Sequence, residues 1–300
     1  MIEPDLDRLA VLAGRSWHVT PLPGGLTNTN LRVTTDDAGP ALDLVVRCAH
    51  PGAELLGIDR AAEAANTAAA ARAGVGAPVV EHQPGMPVVE FVPGRTLTDA
   101  DFADPSVMDR AAAAVRALHA GPRFTGDFDM FARRASYLST IRERGFRLPA
   151  GYEEYGDAWR LVERALDASP RPLVPCNNDL LAANFLDDGE RVRLIDYEYG
   201  GNNDACFELG NTAAECGFGD DLVEAWTEAY FGSTLWVADL ARVRVQMLCS
   251  WYGWSLWGFI QAAVSPIDFD FWGWGMERFE KAREMFGSAD LPRLLQEVAA

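Results

Sequence analysis

The segment from Pro175 to Tyr199 constrains the fold more than any other part of the chain. Asp179 is followed five residues later by Asn184. Two short apolar stretches then flank Asp188-Gly189, a dipeptide that fits the tight turn of a β-hairpin. The second stretch, Val192 to Ile195, ends on Asp196. This strand–turn–strand unit is set among helices. Ser106 to Ala120, Phe131 to Arg144 and Glu153 to Ala168 all have helical patterns, and the second stops at Gly145, a natural helix end. Helical character returns from about Asn211.

The first third reads differently. Residues 1–14 have the pattern of a short amphipathic helix. His18-Val19-Thr20 leads into the turn Pro23-Gly24-Gly25. Asn30 to Thr34 and Leu42 to Cys48 are strand-like around the polar turn Asp36-Asp37-Ala38-Gly39. Ile58 to Ala73 is alanine-rich and helical, and Pro78 to Val80 and Pro87 to Phe91 are two more short strands. The expected architecture is α+β and bilobal: a strand-rich lobe over 1–92, a hinge near 90–94, and a helical body over 93–300 carrying one hairpin.

Charge narrows the partners. The net charge of −18 disfavours nucleic acid and anionic membrane; an acidic field would suit a cationic ligand, but from charge alone the acidity reads as serving solubility. The five cysteines are scattered, without a C-x-x-C pair, which argues against a disulfide framework or structural zinc and for a reducing compartment, the cytoplasm. The acidic start of the chain does not read as a signal peptide. Gln246 to Val264 is long and uncharged, but Gln246, Ser250, Ser255 and Gln261 interrupt it. It reads as a buried helix, so no membrane insertion is expected.

The hairpin carries the chemistry. Phosphoryl transfer needs a carboxylate to orient the acceptor hydroxyl and take its proton, and oxygen ligands to hold Mg²⁺ against the phosphates. Asp-x4-Asn followed by a strand-end acid supplies such a set: Asp179 as base, Asn184 and Asp196 as metal ligands. The spacing alone also fits a hairpin with solvated acids. The apolar strand that delivers Asp196 favours the catalytic reading.

With these residues in view the chain resembles the choline/ethanolamine kinase branch of the aminoglycoside-phosphotransferase-like kinases. Pro23-Gly24-Gly25-Leu26-Thr27-Asn28 is similar to the family's nucleotide loop. Asn178-Asp179 through Glu208-Leu209-Gly210-Asn211, with Ile195-Asp196-Tyr197-Glu198-Tyr199, identifies the superfamily. Trp254-Ser255-Leu256-Trp257-Gly258, Ile260-Gln261-Ala262, Ile267-Asp268-Phe269 and Arg278-Phe279 belong to the branch. The resemblance implies a two-lobed kinase-like fold that uses ATP and Mg²⁺. Thr27 and Asn28 would lie in the nucleotide loop, and Glu90-Phe91-Val92 would be the hinge that offers backbone groups to adenine. Arg47 would stand where protein kinases carry a strand lysine, contacting phosphate and pairing with Glu63; of the 26 basic residues the one lysine is Lys281, so an arginine must serve. One departure is plain: the family's catalytic loop reads His-Asn-Asp, and here it is Asn177-Asn178-Asp179. In kinases that histidine braces backbone near the metal loop, and Asn177 is expected to supply one such bond.

Five of the nine tryptophans fall between 251 and 274, and Trp254 and Trp257 share a helix face. Aromatics at helical spacing are ordinarily core. By resemblance, Trp254, Trp257, Trp274 and Tyr199 would instead line a cation cage, with Glu215 and Asp179 supplying negative charge. Trp274 stands where the family often has tyrosine. The acceptor is expected to be a small cationic amino alcohol, choline ahead of ethanolamine because the pocket is so aromatic. An aminoglycoside or other hydroxylated amine, or a catalytically weak amine-binding protein, are the alternatives, and a homodimer is left open.

Overall fold

The computed structural model describes residues 5–25, 28–37, 39–49, 53–83, 85–234 and 236–300. Strands β1 (Trp17–Leu22), β2 (Asn28–Thr35) and β3 (Asp43–Ala49) precede helix α1 (Arg60–Arg72), and β4 (Val79–Gln83) and β5 (Met86–Glu90) follow it. They form one antiparallel sheet in the order β1-β2-β3-β5-β4. Pro21 lies in edge strand β1, where a missing N–H is tolerated.

Alternation sends Leu31, Val33, Leu44, Val46, Met86 and Val88 to one face of this sheet. Leu6, Leu9 and Leu12 cover that face. The expected N-terminal helix is corrected here: the described part forms two 3-10 turns, Leu6–Arg8 and Ala10–Leu12. Leucines three apart stack on one side of a 3-10 turn, whereas an α-helix would rotate them away from a common line.

After β6 (Arg95–Thr96) come helices α2 (Pro105–His119), α3 (Met130–Arg144) and α4 (Gly156–Ala168). Helix α3 ends on Gly145 at φ 65°, the left-handed conformation that glycine tolerates. Strands β7 (Leu173–Cys176), β8 (Phe185–Asp187), β9 (Val192–Leu194) and β10 (Gly201–Asp204) follow, then helices α5 (Ala205–Glu215), α6 (Asp220–Phe231), α7 (Val237–Val264), α8 (Phe271–Phe286) and α9 (Leu291–Ala299). The expected hairpin is β8–β9, with Asp188 capping its turn through the N–H groups of Glu190 and Arg191, and β6 adds a third strand beside β8. Strand β10, which pairs with β7, has no sequence signature because Gly201-Asn202-Asn203-Asp204 reads as a turn. The Asn202 amide fixes it by exchanging hydrogen bonds with the Phe124 backbone at 2.9 Å in both directions.

Helix α7 contains the apolar Gln246–Val264 stretch and is buried along most of its length. No helix among the described residues is long and apolar enough to cross a membrane. It crosses α8 at close range: a Cβ on Gly258 would stand 2.9 Å from the Gly275 Cα and from the Trp274 ring. That approach sets the tryptophans of α7 beside Trp274.

Candidate active site

Strand β7 delivers Asn177-Asn178-Asp179, and main-chain hydrogen bonds fix this loop. The carboxylate of Glu208, on α5, accepts the N–H groups of Asn177 and Asn178 at 2.8 and 2.7 Å. Burial pushes the Glu208 pKa up to about 7, against the pull of those two N–H groups. Asn178 has φ 68°, a conformation that asparagine tolerates better than most residues. Its amide donates to the carbonyls of Tyr199 and Gly201 at 3.0 and 3.2 Å and accepts from Asn203 at 2.9 Å.

Asn177 does more than the single bond expected of it. Its Nδ2 donates to the carbonyls of Ile195 and Asp196 at 3.1 and 2.7 Å, and its Oδ1 accepts the Asp179 N–H at 3.1 Å. A primary amide carries two donor hydrogens, so one short side chain ties the Asp179 loop to the Asp196 loop. Asp196 itself sits at φ 65°. The two non-glycine residues with positive φ among the described residues are thus Asn178 and Asp196, one in each loop.

Asn184 closes the 3-10 turn Ala182–Asn184, and its Nδ2 donates to the Asp179 carbonyl at 2.7 Å. That orientation leaves Oδ1 as the acceptor on the cavity side. Asn184 and Asp196 therefore offer one amide and one carboxylate oxygen to the same cavity, a donor set suited to a hard divalent cation that keeps most of its ligands as phosphate and water. Asp196 Oδ1 accepts from Arg47 Nη2 at 2.6 Å, and Arg47 Nη1 lies 3.4 Å from Glu63 Oε1, the pairing expected from the sequence. Burial works against the Arg47 charge, but the carboxylates of Asp196, Glu63 and Glu198 outweigh it and hold its pKa well above the usual value. Arg60 adds a second cation, 2.7 Å from Glu63 and 3.5 Å from Glu198.

The remaining nucleotide-side residues divide. Thr27 lies outside the described residues. Asn28 is buried, and its Nδ2 donates to Glu198 at 3.1 Å. The Glu90 N–H is engaged by the Pro78 carbonyl at 2.9 Å, so that one group of the hinge is not available to a ligand. Glu90 and Val92 do not line the cavity described below.

A cavity of about 440 Å³ joins these groups to the helical side. Asp179, Asn184 and Asp196 line it together with Tyr199, Glu215, Trp254, Trp257 and Trp274. The half-buried Asp179 carboxyl is raised well above the usual carboxylate range, first by burial and then by Glu215, Glu198 and Asp196, while Arg278 acts in the opposite sense. Trp257 Nε1 donates to the Tyr199 hydroxyl at 2.9 Å, and the Tyr199 and Trp254 rings meet edge-on at 4.8 Å. Trp257 and Trp274 lie 5.1 Å apart.

Three charged lining residues have no role assigned from the sequence: Asp99, Glu198 and Arg278. Arg278 corrects the expectation for Glu215. Its Nη2 pairs with Glu215 Oε2, its Nε bonds Glu215 Oε1 at 3.1 Å, and its guanidinium lies 3.3 Å from the centre of the Trp274 ring. Glu215 is therefore not a free carboxylate waiting for a cation. The i, i+4 spacing of Trp274 and Arg278 was the available signal, since such pairs stack on a helix surface. Asp99 had no such signal. It lies at the cavity mouth with its carboxylate beside the Cys216 thiol, which burial pushes well above its ordinary pKa with Asp99 and Glu215 adding to the effect.

The comparisons with known proteins agree with this geometry. Residues 18–245 match the model of the phosphotransferase enzyme family. A choline/ethanolamine kinase family protein from Mesorhizobium loti has a structure that superposes with a TM-score of 0.84 at 33% identity, covering 98% of this chain and 96% of that one. A probable ethanolamine kinase of Arabidopsis thaliana is 27% identical over 297 residues, covering 89% of this chain and 79% of that protein. The choline kinase of Streptococcus pneumoniae, 21% identical with a TM-score of 0.76 over 93% of this chain and 96% of its own, shares the fold. A chain matched over most of its length by this family, with a kinase-like sheet and an acid-lined cavity below it, belongs to the phosphotransferase enzyme family in its choline/ethanolamine kinase branch and is a small-molecule kinase.

Proposed function

We propose that the enzyme transfers the γ-phosphoryl group of ATP to the hydroxyl of a small amino alcohol of the choline/ethanolamine class. One observation carries the reading: a carboxylate, a hard-cation donor pair and an aromatic wall share a single cavity. Asp179 orients the acceptor hydroxyl and takes its proton as the new O–P bond forms and the bond to the ADP oxygen breaks. Asn184 and Asp196 would hold Mg²⁺, which would supply charge neutralisation at the phosphates. Arg47, held by Glu63 and Asp196, would be the cation that contacts the phosphates. Gly24 and Gly25, both at φ 92°, shape the loop above them, and a Cβ on Gly25 would stand 2.6 Å from the Asn28 carbonyl. Tyr199, Trp254 and Trp257 form the apolar side of the acceptor pocket. The intact tie from Asn177 to Asp196 supports a working enzyme over a binding protein. Five free cysteines suit a reducing cytoplasm.

The test is ADP release with ATP, Mg²⁺ and a panel of ethanolamine, its N-methyl series, choline and an aminoglycoside. Turnover with the amino alcohols and little with the aminoglycoside is the expected result. Measurable amine binding without turnover would favour the binding-protein alternative.

A further inference from the structure

We infer that Asn66, on α1, is a positioning residue for the phosphate side of the site: it sets the Glu63–Arg47 pair against Asp196 by pinning α1 to the segment that follows Asp196. The inference deepens the reading of Arg47 and Asp196 given above and rests on it.

The buried face of α1 reads Glu63, Asn66, Ala69 and Ala70. It has no large apolar side chain, so the placement of the helix depends on its polar contacts. Glu63 and Asn66 are one turn apart on that face, at 3% and 0% exposure. Glu63 faces Arg47. Asn66 reaches two other parts of the chain. Its Nδ2 donates to the Gly200 carbonyl at 2.8 Å, and its Oδ1 accepts the Thr125 N–H at 2.8 Å. A carbonyl on one side and an N–H on the other allow the amide one orientation. A Cβ on Gly200 would stand 3.3 Å from that Nδ2 and 3.0 Å from the Tyr197 carbonyl oxygen, so the close approach uses the missing side chain.

The two partners of Asn66 belong to segments that are already clamped together. The Asn202 amide exchanges hydrogen bonds with the Phe124 backbone, its N–H donates to the Gly126 carbonyl at 3.0 Å, and its carbonyl accepts the Phe128 N–H at 2.9 Å. Asn178, beside Asp179, holds the Tyr199 and Gly201 carbonyls on either side of Gly200. Helix α1 thus docks onto a surface that the catalytic loop itself fixes. A closed ring results. Asp196 accepts from Arg47, Arg47 pairs with Glu63, one turn of α1 leads to Asn66, and Asn66 returns to Gly200, four residues beyond Asp196. Arg60 also reaches back from α1, but its contact to Glu198 is 3.5 Å long and made by a flexible stem. Asn66 is the short, fully buried link. It is uncharged and does not line the cavity, so it acts on the site through position alone.

A double-mutant cycle tests this. Wild type, Asn66→Ala, Glu63→Gln and the double variant are compared in the Kd for ADP with Mg²⁺, by calorimetry, and in kcat/KM for ATP. In the wild-type background Asn66→Ala should weaken ADP binding and lower kcat/KM for ATP by about tenfold each, and in the Glu63→Gln background by less than about threefold. The KM for the alcohol should not move. An equal loss in both backgrounds would mean that Asn66 only holds the fold together, and overturns the inference. So does a folded Asn66→Ala with wild-type ADP binding. Should Asn66→Ala fail to fold, Gly200→Ala strains the same bond from its other end and leaves every hydrogen-bonding group in place. The cycle is then run with Gly200→Ala, where a loss confined to the wild-type background supports the inference, and an equal loss or none overturns it. The ADP titration needs no acceptor. Absence of turnover with every alcohol would therefore sink the amino-alcohol reading, while the binding cycle still decides the role of Asn66.

Discussion

At one end of the cavity, Asp179, Asn184 and Asp196 come from a single stretch of chain and are fixed by hydrogen bonds to main-chain atoms from Asn177, Asn184 and Glu208. At the other end, Tyr199, Glu215, Trp254, Trp257, Trp274 and Arg278 come from a loop and from α5, α7 and α8, and are fixed by ring packing, one indole–phenol bond and one ion pair. A change at the first end removes a reacting group or loosens a backbone. A change at the second leaves the chemistry in place and alters the shape that selects the acceptor. The two ends should therefore separate kinetically, the first in kcat and the second in KM for the alcohol.

The largest effect is expected from Asp179→Asn. Loss of a general base costs on the order of 10³-fold in kcat, and among the described residues the loop is braced through the Asp179 backbone and not its carboxylate, so circular dichroism and ATP binding should be unchanged. Retention of even a tenth of the wild-type rate would remove Asp179 from the mechanism. Next comes Asn177→Ala. It strands two partly buried carbonyls, each at a cost of up to about 1–3 kcal/mol, so both the melting temperature and kcat should fall, the latter by roughly tenfold or more. Lower stability with an unchanged rate would mean that the tie between the two loops is structural alone. Trp257→Phe is the matching change at the acceptor end. It keeps a ring against Trp274 and deletes the bond to Tyr199, and it should raise KM for the alcohol a few-fold, about 1 kcal/mol, with little change in kcat. A kcat effect as large as that of Asn177→Ala would break the contrast between the two ends.

The same contrast explains how much was legible in the sequence. The Asp179–Asn184–Asp196 end is local: a five-residue spacing, an Asp-Gly turn and a short strand bring all three groups together before any tertiary contact is needed. The acceptor end depends on where α8 crosses α7. Helical spacing correctly gathered Trp254 and Trp257, but it could not say which faces would be covered, nor that Arg278 would reach Glu215 from a different helix. Strand β10 and the leucine turns at 6–12 were missed for a related reason. Their conformations are imposed by partners, the Phe124 backbone for one and the sheet face for the other, and not by local propensity.

The smallest expected effect lies behind the catalytic loop, where Glu208, Cys176 and His119 lie side by side, with Cys176 Sγ 3.5 Å from His119 Nε2. Glu208 titrates near pH 7 in the fold, against an ordinary value of 4.5. A carboxyl raised in this way favours the folded state fully below its unfolded pKa, and its contribution is lost as pH rises from about 4.5 through about 7. His119 works in the other direction. Burial lowers it from 6.5 to about 3, so the fold gains stability as pH rises across that window. The two slopes overlap and partly cancel in the wild type, which makes the wild-type curve a poor reporter of either. The informative quantity is the difference between wild type and Glu208→Gln, measured as urea midpoints from pH 4 to pH 8. Glutamine retains one oxygen to accept from the Asn177 or Asn178 N–H but cannot ionise. The difference curve should fall between about pH 4.5 and pH 7 in favour of the variant and be flat outside it. A flat difference throughout would mean that the two N–H bonds compensate fully for burial and keep Glu208 charged in the folded enzyme. The catalytic end would then be held by a permanent anion rather than by a titratable one.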